Sequence, residues 1–87
     1  MIHEVQHYLS SLLAITAVKA KLINEVQQST TNPAVIGMRT LYPKDKPVYP
    51  AEAQAICADV ADFFKAQGFN ITHSFHNNSK LECSIKF

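Results

Sequence analysis

From Ile2 to Gln28 the chain runs IHEVQHYLSSLLAITAVKAKLINEVQQ without a single glycine or proline. Apolar residues fall at positions 2, 5, 9, 12, 13, 15, 18, 22, 23 and 26, spaced by threes and fours. With no breaker and that period, the spacing predicts one unbroken helix over residues 1–29. At about 1.5 Å per residue such a helix is roughly 40 Å long. A compact domain of this size has a radius of gyration of only about 12 Å, so part of the helix is expected to project or to pack on another chain.

The girth of the helix makes the same point. Placed at about 100° per residue, the apolar positions cover rather more than half the circumference. His3, Gln6, His7, Ser10, Lys21, Asn24, Glu25 and Gln28 share the remainder. A helix lying on one sheet needs about a third of its circumference apolar. The surplus has two readings, burial between two layers of the chain's own fold or burial in a homo-oligomer or against a protein partner. The second is preferred, because the chain has few other elements to sandwich the helix, with Leu9, Leu13, Val18, Lys19 and Leu22 as contact candidates. Lys19 falls inside the apolar arc, where its stem lies along greasy surface and its ammonium reaches outward.

A chain of 87 residues supports one domain, near the lower limit for a single core. Apolar residues are 47% and charged residues 17%, which indicates a folded chain. The formal charge is +1, the lysines are scattered and Arg39 is the only arginine, so no basic stripe for nucleic acid is present. Two cysteines, Cys57 and Cys83, fit neither a disulfide framework nor a zinc motif and read as buried thiols. YLSSLLAITAVKA has the apolar middle of a secretory signal, but Glu4 and the lack of lysine or arginine before it argue against one. Lys19 and Lys21 cut the apolar run short of the roughly 20 residues of a membrane span. The expected location is the cytoplasm, with both thiols reduced.

After the first helix, STTNPAVIGMRTLYPKDKPVYP is the least regular stretch. Asn32-Pro33 signals a turn, AVIGMRTL a strand, and prolines 43, 47 and 50 an extended connection within residues 30–49. A second helix spans 50–68. Pro50 suits its first turn, Ala53, Ile56, Cys57, Val60, Phe63 and Phe64 its buried side, and Gly68-Phe69 a left-handed cap with an apolar contact. Residues 69–87 alternate as a hairpin. A three-residue loop, Asn77 to Ser79, pairs Phe75 with Leu81, His73 with Cys83, Ile71 with Ile85 and Phe69 with Phe87. The expected fold is α+β in the order α-β-α-β-β, a small antiparallel sheet with helices on one face.

Three constellations bear on chemistry. HEVQH, residues 3 to 7, matches the H-E-x-x-H pattern of zinc hydrolases, with Glu25 as a candidate third ligand. An unbroken helix puts Glu25 roughly 27 Å along the axis from His7, too far to share a metal, so His3 and His7 read as surface side chains. His73 opposite Cys83 suggests an imidazole–thiol pair, but two inward-facing groups with no orienting third read as core packing. KDKPVYP has the proline spacing of polyproline ligands; with Pro50 opening a helix it reads as a rigid connector that exposes Val48 and Tyr49 as a contact point. No phosphate loop, dinucleotide fingerprint, calcium loop or serine elbow occurs.

The second helix ending Lys65-Ala66-Gln67-Gly68-Phe69, followed by an alternating hairpin through Phe87, resembles the layout of small accessory proteins of bacteriophages over about the last forty residues. That resemblance implies a protein that acts by binding, for instance by blocking a host factor or defence complex, and it carries over no functional residue. The expectation is therefore a non-enzymatic protein-binding module without a cofactor. It acts as a homo-oligomer through the first helix and the proline-rich loop. The alternative is a small ligand or nucleotide held at a subunit interface, with Arg39 and the polar side of the first helix as donors. A minimal zinc hydrolase comes third.

Overall fold

The computed structural model describes residues 2–87, with side chains described from Ile15 onward. The chain is α+β: helix α1 (Ile2–Gln28), strand β1 (Ala34–Gly37), a 3-10 turn (Met38–Thr40), helix α2 (Pro50–Ala66), and strands β2 (Thr72–His76) and β3 (Glu82–Lys86). The order matches the one read from the sequence, and α1 runs without a break for 27 residues. The long axis of the molecule is 45 Å and its radius of gyration 13.6 Å, somewhat above that of a sphere-like domain.

The strands form one antiparallel sheet in the order β1-β3-β2, with the last strand in the centre. Ala34 and Ile36 of β1 stand opposite Ile85 and Cys83 of β3. These four share the face on which the helices pack, because side chains alternate along a strand. The two helices lie side by side, with α1 against β1 and α2 against β2 and β3. Lys19 pairs with Asp59, and Val26 and Phe64 line one cleft, so the helices run parallel with their C-terminal ends level.

Helix α2 buries Ala53, Ile56, Cys57, Val60, Ala61 and Phe64, a single stripe at spacings of three and four. Phe63, expected inside, is 39% exposed because it falls one position off that stripe. Pro50 opens the helix and the Tyr49 carbonyl accepts the Ala53 N–H at 2.9 Å. At the far end Gly68 has φ +94°, Gly68 N–H bonds the Lys65 carbonyl and Phe69 N–H bonds the Phe64 carbonyl. This is the glycine-capped ending expected from the sequence, with the Phe69 ring 6.1 Å from that of Phe64.

Three expectations are corrected. The strand predicted over AVIGMRTL ends at Gly37. There Thr40 Oγ1 donates to the Gly37 carbonyl and Leu41 N–H to that of Met38, which curls the chain into the 3-10 turn. The hairpin pairs two residues out of the expected register: Phe75 faces Cys83, and His73 faces Ile85. Its loop is five residues long because Asn78 Oδ1 accepts both the Lys80 and Leu81 N–H groups, holding Leu81 at φ +50°. Cys57 and Cys83 are buried as expected, but they are joined as a disulfide, with Cα atoms 5.7 Å apart. Helix α2 sets Cys57 directly over the central strand, within bonding range of Cys83.

Candidate functional site

The residues singled out for partner binding fall into three groups. Leu9 and Leu13, like the zinc candidates His3 and His7, lie outside the residues whose side chains are described. Val18 and Leu22 are fully buried in the chain's own core, so they hold the fold together and offer a partner no surface. Lys19, Arg39, Val48 and Tyr49 are accounted for individually. Lys19 Nζ sits 2.8 Å from Asp59 Oδ2 and ties α1 to α2. The Arg39 guanidinium donates to the Lys46 carbonyl at 2.6 Å and to the Pro43 carbonyl, clamping the turn between them. Those donors serve the proline-rich loop rather than a ligand. Val48 is half-buried against the core, whereas Tyr49 is 61% exposed beside it.

Glu25 is exposed on α1, and among the described residues no three His, Cys, Asp or Glu side chains gather to hold a metal ion. His73 is exposed, and its expected neighbour Cys83 is committed to the disulfide, so the imidazole–thiol pair does not form. Tyr42, in the proline-rich loop, is buried beside Glu52. Burial, then its hydrogen bond and the charge of Glu52, push the phenol above its usual range; the hydroxyl donates to Glu52 Oε1 at 2.8 Å. That pair links the proline-rich loop to the first turn of α2.

The sequence reading missed a cleft of about 470 Å³ where the C-terminal ends of α1 and α2 meet. Its floor is aromatic. Phe64, Phe69 and Phe87 pack edge to face, with centroids 5.5 to 6.1 Å apart and planes 79° to 83° from one another. Phe69 and Phe87 are each nearly half exposed. The rim consists of Gln27, Ser29, Thr30, Thr31, Asn32 and Gln67, and no charged side chain lines it.

Each wall is fixed by local structure. The glycine cap of α2 sets Phe69 over Phe64. Asn32, before the cis bond to Pro33, clasps the backbone of Phe87 twice: its amide donates to the Phe87 carbonyl and its oxygen accepts the Phe87 N–H, both at 3.0 Å. Ser29 and Thr31 bond each other and the turn that follows α1. The signals were present in part: Gly68-Phe69 and Asn32-Pro33 were read as turns, and Phe69 was set beside Phe87. What the sequence does not show is that these turns converge.

No protein-family model, curated protein or solved structure matches the chain. Among the described residues no helix is long and apolar enough to cross a membrane.

Proposed function

We propose that the protein is a non-enzymatic protein-binding module that assembles as a homo-oligomer through the leading half of α1. The supporting observation is the phase of the apolar pattern along one unbroken helix. The fold buries Val18, Leu22 and Val26, with Ile15 packed against them. At about 100° per residue these point in one general direction. Ile2, Val5, Leu9, Leu12 and Leu13 repeat around a direction turned by roughly a third of a circle from it. By sequence phase the surplus girth divides into two successive stripes, and we assign the leading one to a second surface.

The lengths favour the same reading, since α1 has 27 residues beside a parallel α2 of 17. The resemblance of about the last forty residues to the layout of phage accessory proteins also fits action by binding, with a host factor as the heterologous partner. Tyr49, exposed beside the loop clamped by Arg39, is a second contact. The test is size-exclusion chromatography with light scattering on the wild type and on a Leu9→Asp/Leu13→Asp variant. The expected result is a mass of two or more chains for the wild type, and for the variant a monomer whose circular dichroism still shows the folded state and whose melting temperature, unlike that of the wild type, does not depend on protein concentration. A wild type that stays at the 9.7 kDa of one chain would refute the homo-oligomer.

A further inference from the structure

The cleft at the C-terminal ends of the helices is built for something other than the docking helix. We propose that it binds a small organic cation of the methylated-ammonium type, an ion that is weakly hydrated and has an apolar shell.

Three independent features select that chemistry. The first is the ring triad. Phe64, Phe69 and Phe87 meet edge to face, and while Phe64 is buried beneath them, the other two rings keep much of their aromatic surface outside these contacts. Phe69 and Phe87 are 49% and 44% exposed, and the π face of an aromatic ring attracts a cation within about 6 Å of its centroid.

The second feature is the field of the backbone. Helices α1 and α2 run parallel, and both end at this cleft: Val26 and Gln27 from one, Phe64 and Gln67 from the other. The partial negative charge of two helix C-termini therefore adds at one place, offset in part by Lys65 in the last turn of α2 and by no basic residue in that of α1, and it favours a positive ligand over phosphate or carboxylate.

The third is the rim. It carries no lysine or arginine to repel a cation, and no aspartate or glutamate whose strong hydration and ion pairing would favour a small inorganic ion. Lys86 lines a separate shallow depression with Asn70, Thr72 and Phe87, and Lys65, in the last turn of α2, does not line the cleft. Gln27, Thr30 and Gln67 make no hydrogen bond to the described residues through their side chains, which leaves oxygens free to accept from a hydroxyl or amine carried by the ligand.

The volume of about 470 Å³ lies within the roughly 300–1,000 Å³ of small-molecule sites, and the Asn32 clasp and glycine cap hold the walls in place before a ligand arrives. The cleft belongs to one chain, so binding there is independent of assembly through α1.

The test is a nuclear magnetic resonance titration of isotope-labelled full-length protein with choline, with N-trimethyl-lysine as the form the same group takes in a methylated protein. The control is 3,3-dimethylbutan-1-ol, the uncharged carbon isostere of choline. The expected result is saturable displacement of the Gly68 and Phe69 amides and of the Gln27 and Gln67 side-chain amides by at least one of the two cations. The isostere should bind about two- to thirtyfold more weakly, the range of one to two cation–π contacts. Phe69→Leu, which keeps the apolar cap contact and removes the π face, should weaken the cation by a similar factor while leaving the isostere unchanged. Equal affinity for cation and isostere, an unaffected Phe69→Leu variant, or no displacement by either cation would each overturn the proposal.

Discussion

Breaking the Cys57–Cys83 bond is expected to lower the melting temperature by about 19 °C. The two residues stand 26 positions apart, one in α2 and one in the central strand, and neither is exposed. A cross-link closing a loop of that length removes about 12 cal/mol/K of entropy from the unfolded chain, by the relation −2.1 − 1.5R ln n with n near 26. At 25 °C this is about 3.5 kcal/mol, a large share of the ~5–15 kcal/mol by which domains are stable. Unfolding entropy of ~2.1 cal/mol/K per residue amounts to about 180 cal/mol/K for this chain, and the quotient is the 19 °C.

Because the bond is buried, a reductant cannot reach it in the folded protein, so the comparison must be made after refolding from denaturant with and without reductant. Far-ultraviolet circular dichroism then follows each melt. Disulfides persist in oxidising environments and are rare where thiols are held reduced, so the bond stands against the reduced, cytoplasmic state expected from the sequence. The reduced Cys57 thiol retains a carbonyl acceptor in Ser74, 3.7 Å from its sulfur, so the dithiol form should still fold. Two thiols per chain titrating in the unreduced protein, or melts within about 3 °C of each other, would refute the reasoning.

Other expectations test individual parts of the fold. Gly68→Ala places a side chain at φ +94° with nothing within 4 Å to clash, so its cost is purely conformational, about 1 kcal/mol by urea unfolding, with Gly68→Asn milder. The folded state holds the Tyr42 phenol neutral beyond its ordinary range, so its contribution is complete below pH about 10 and is lost as the pH rises through the folded value. Tyr42→Phe should therefore cost about 1–2 kcal/mol at neutral pH and flatten the alkaline limb of the stability profile. Lys19→Ala should cost less than about 1 kcal/mol, because the ion pair with Asp59 is largely open to solvent; a larger loss in chemical unfolding would mean the stem of Lys19 carries packing weight.

The parts of the fold legible in the sequence are those with a local physical cause. Both helices follow from a period of three and four between breakers, and Pro50 and Gly68 mark the ends of α2 because each does at a helix terminus what other residues do poorly. The hairpin was legible, but its register was not. Sliding one strand by two residues keeps every side chain on its original face, so alternation cannot distinguish Phe75 opposite Leu81 from Phe75 opposite Cys83. The choice is made by the Asn78 side chain, which captures two N–H groups and lengthens the loop. The disulfide lay beyond sequence reading for a related reason: nothing local to Cys57 or Cys83 states which face of α2 will lie over which strand.

The first helix shows how a correct observation can be given an incomplete cause. Counting apolar positions around its circumference found too many for one sheet, but the count treated the helix as uniform along its length. Once the structure shows the core stripe to lie at Ile15, Val18, Leu22 and Val26, the same positions separate into two runs of different phase. Val18 and Leu22 then leave the docking candidates, and Leu9 and Leu13 remain. The aromatic cleft was missed for the opposite reason. Two rings five residues apart and a third at Phe87, two turns and a rim without charged side chains each look ordinary alone. They become a site only because parallel helices bring their C-terminal ends together beside Phe87, a consequence of the β1-β3-β2 strand order that carries the final segment back through the middle of the sheet.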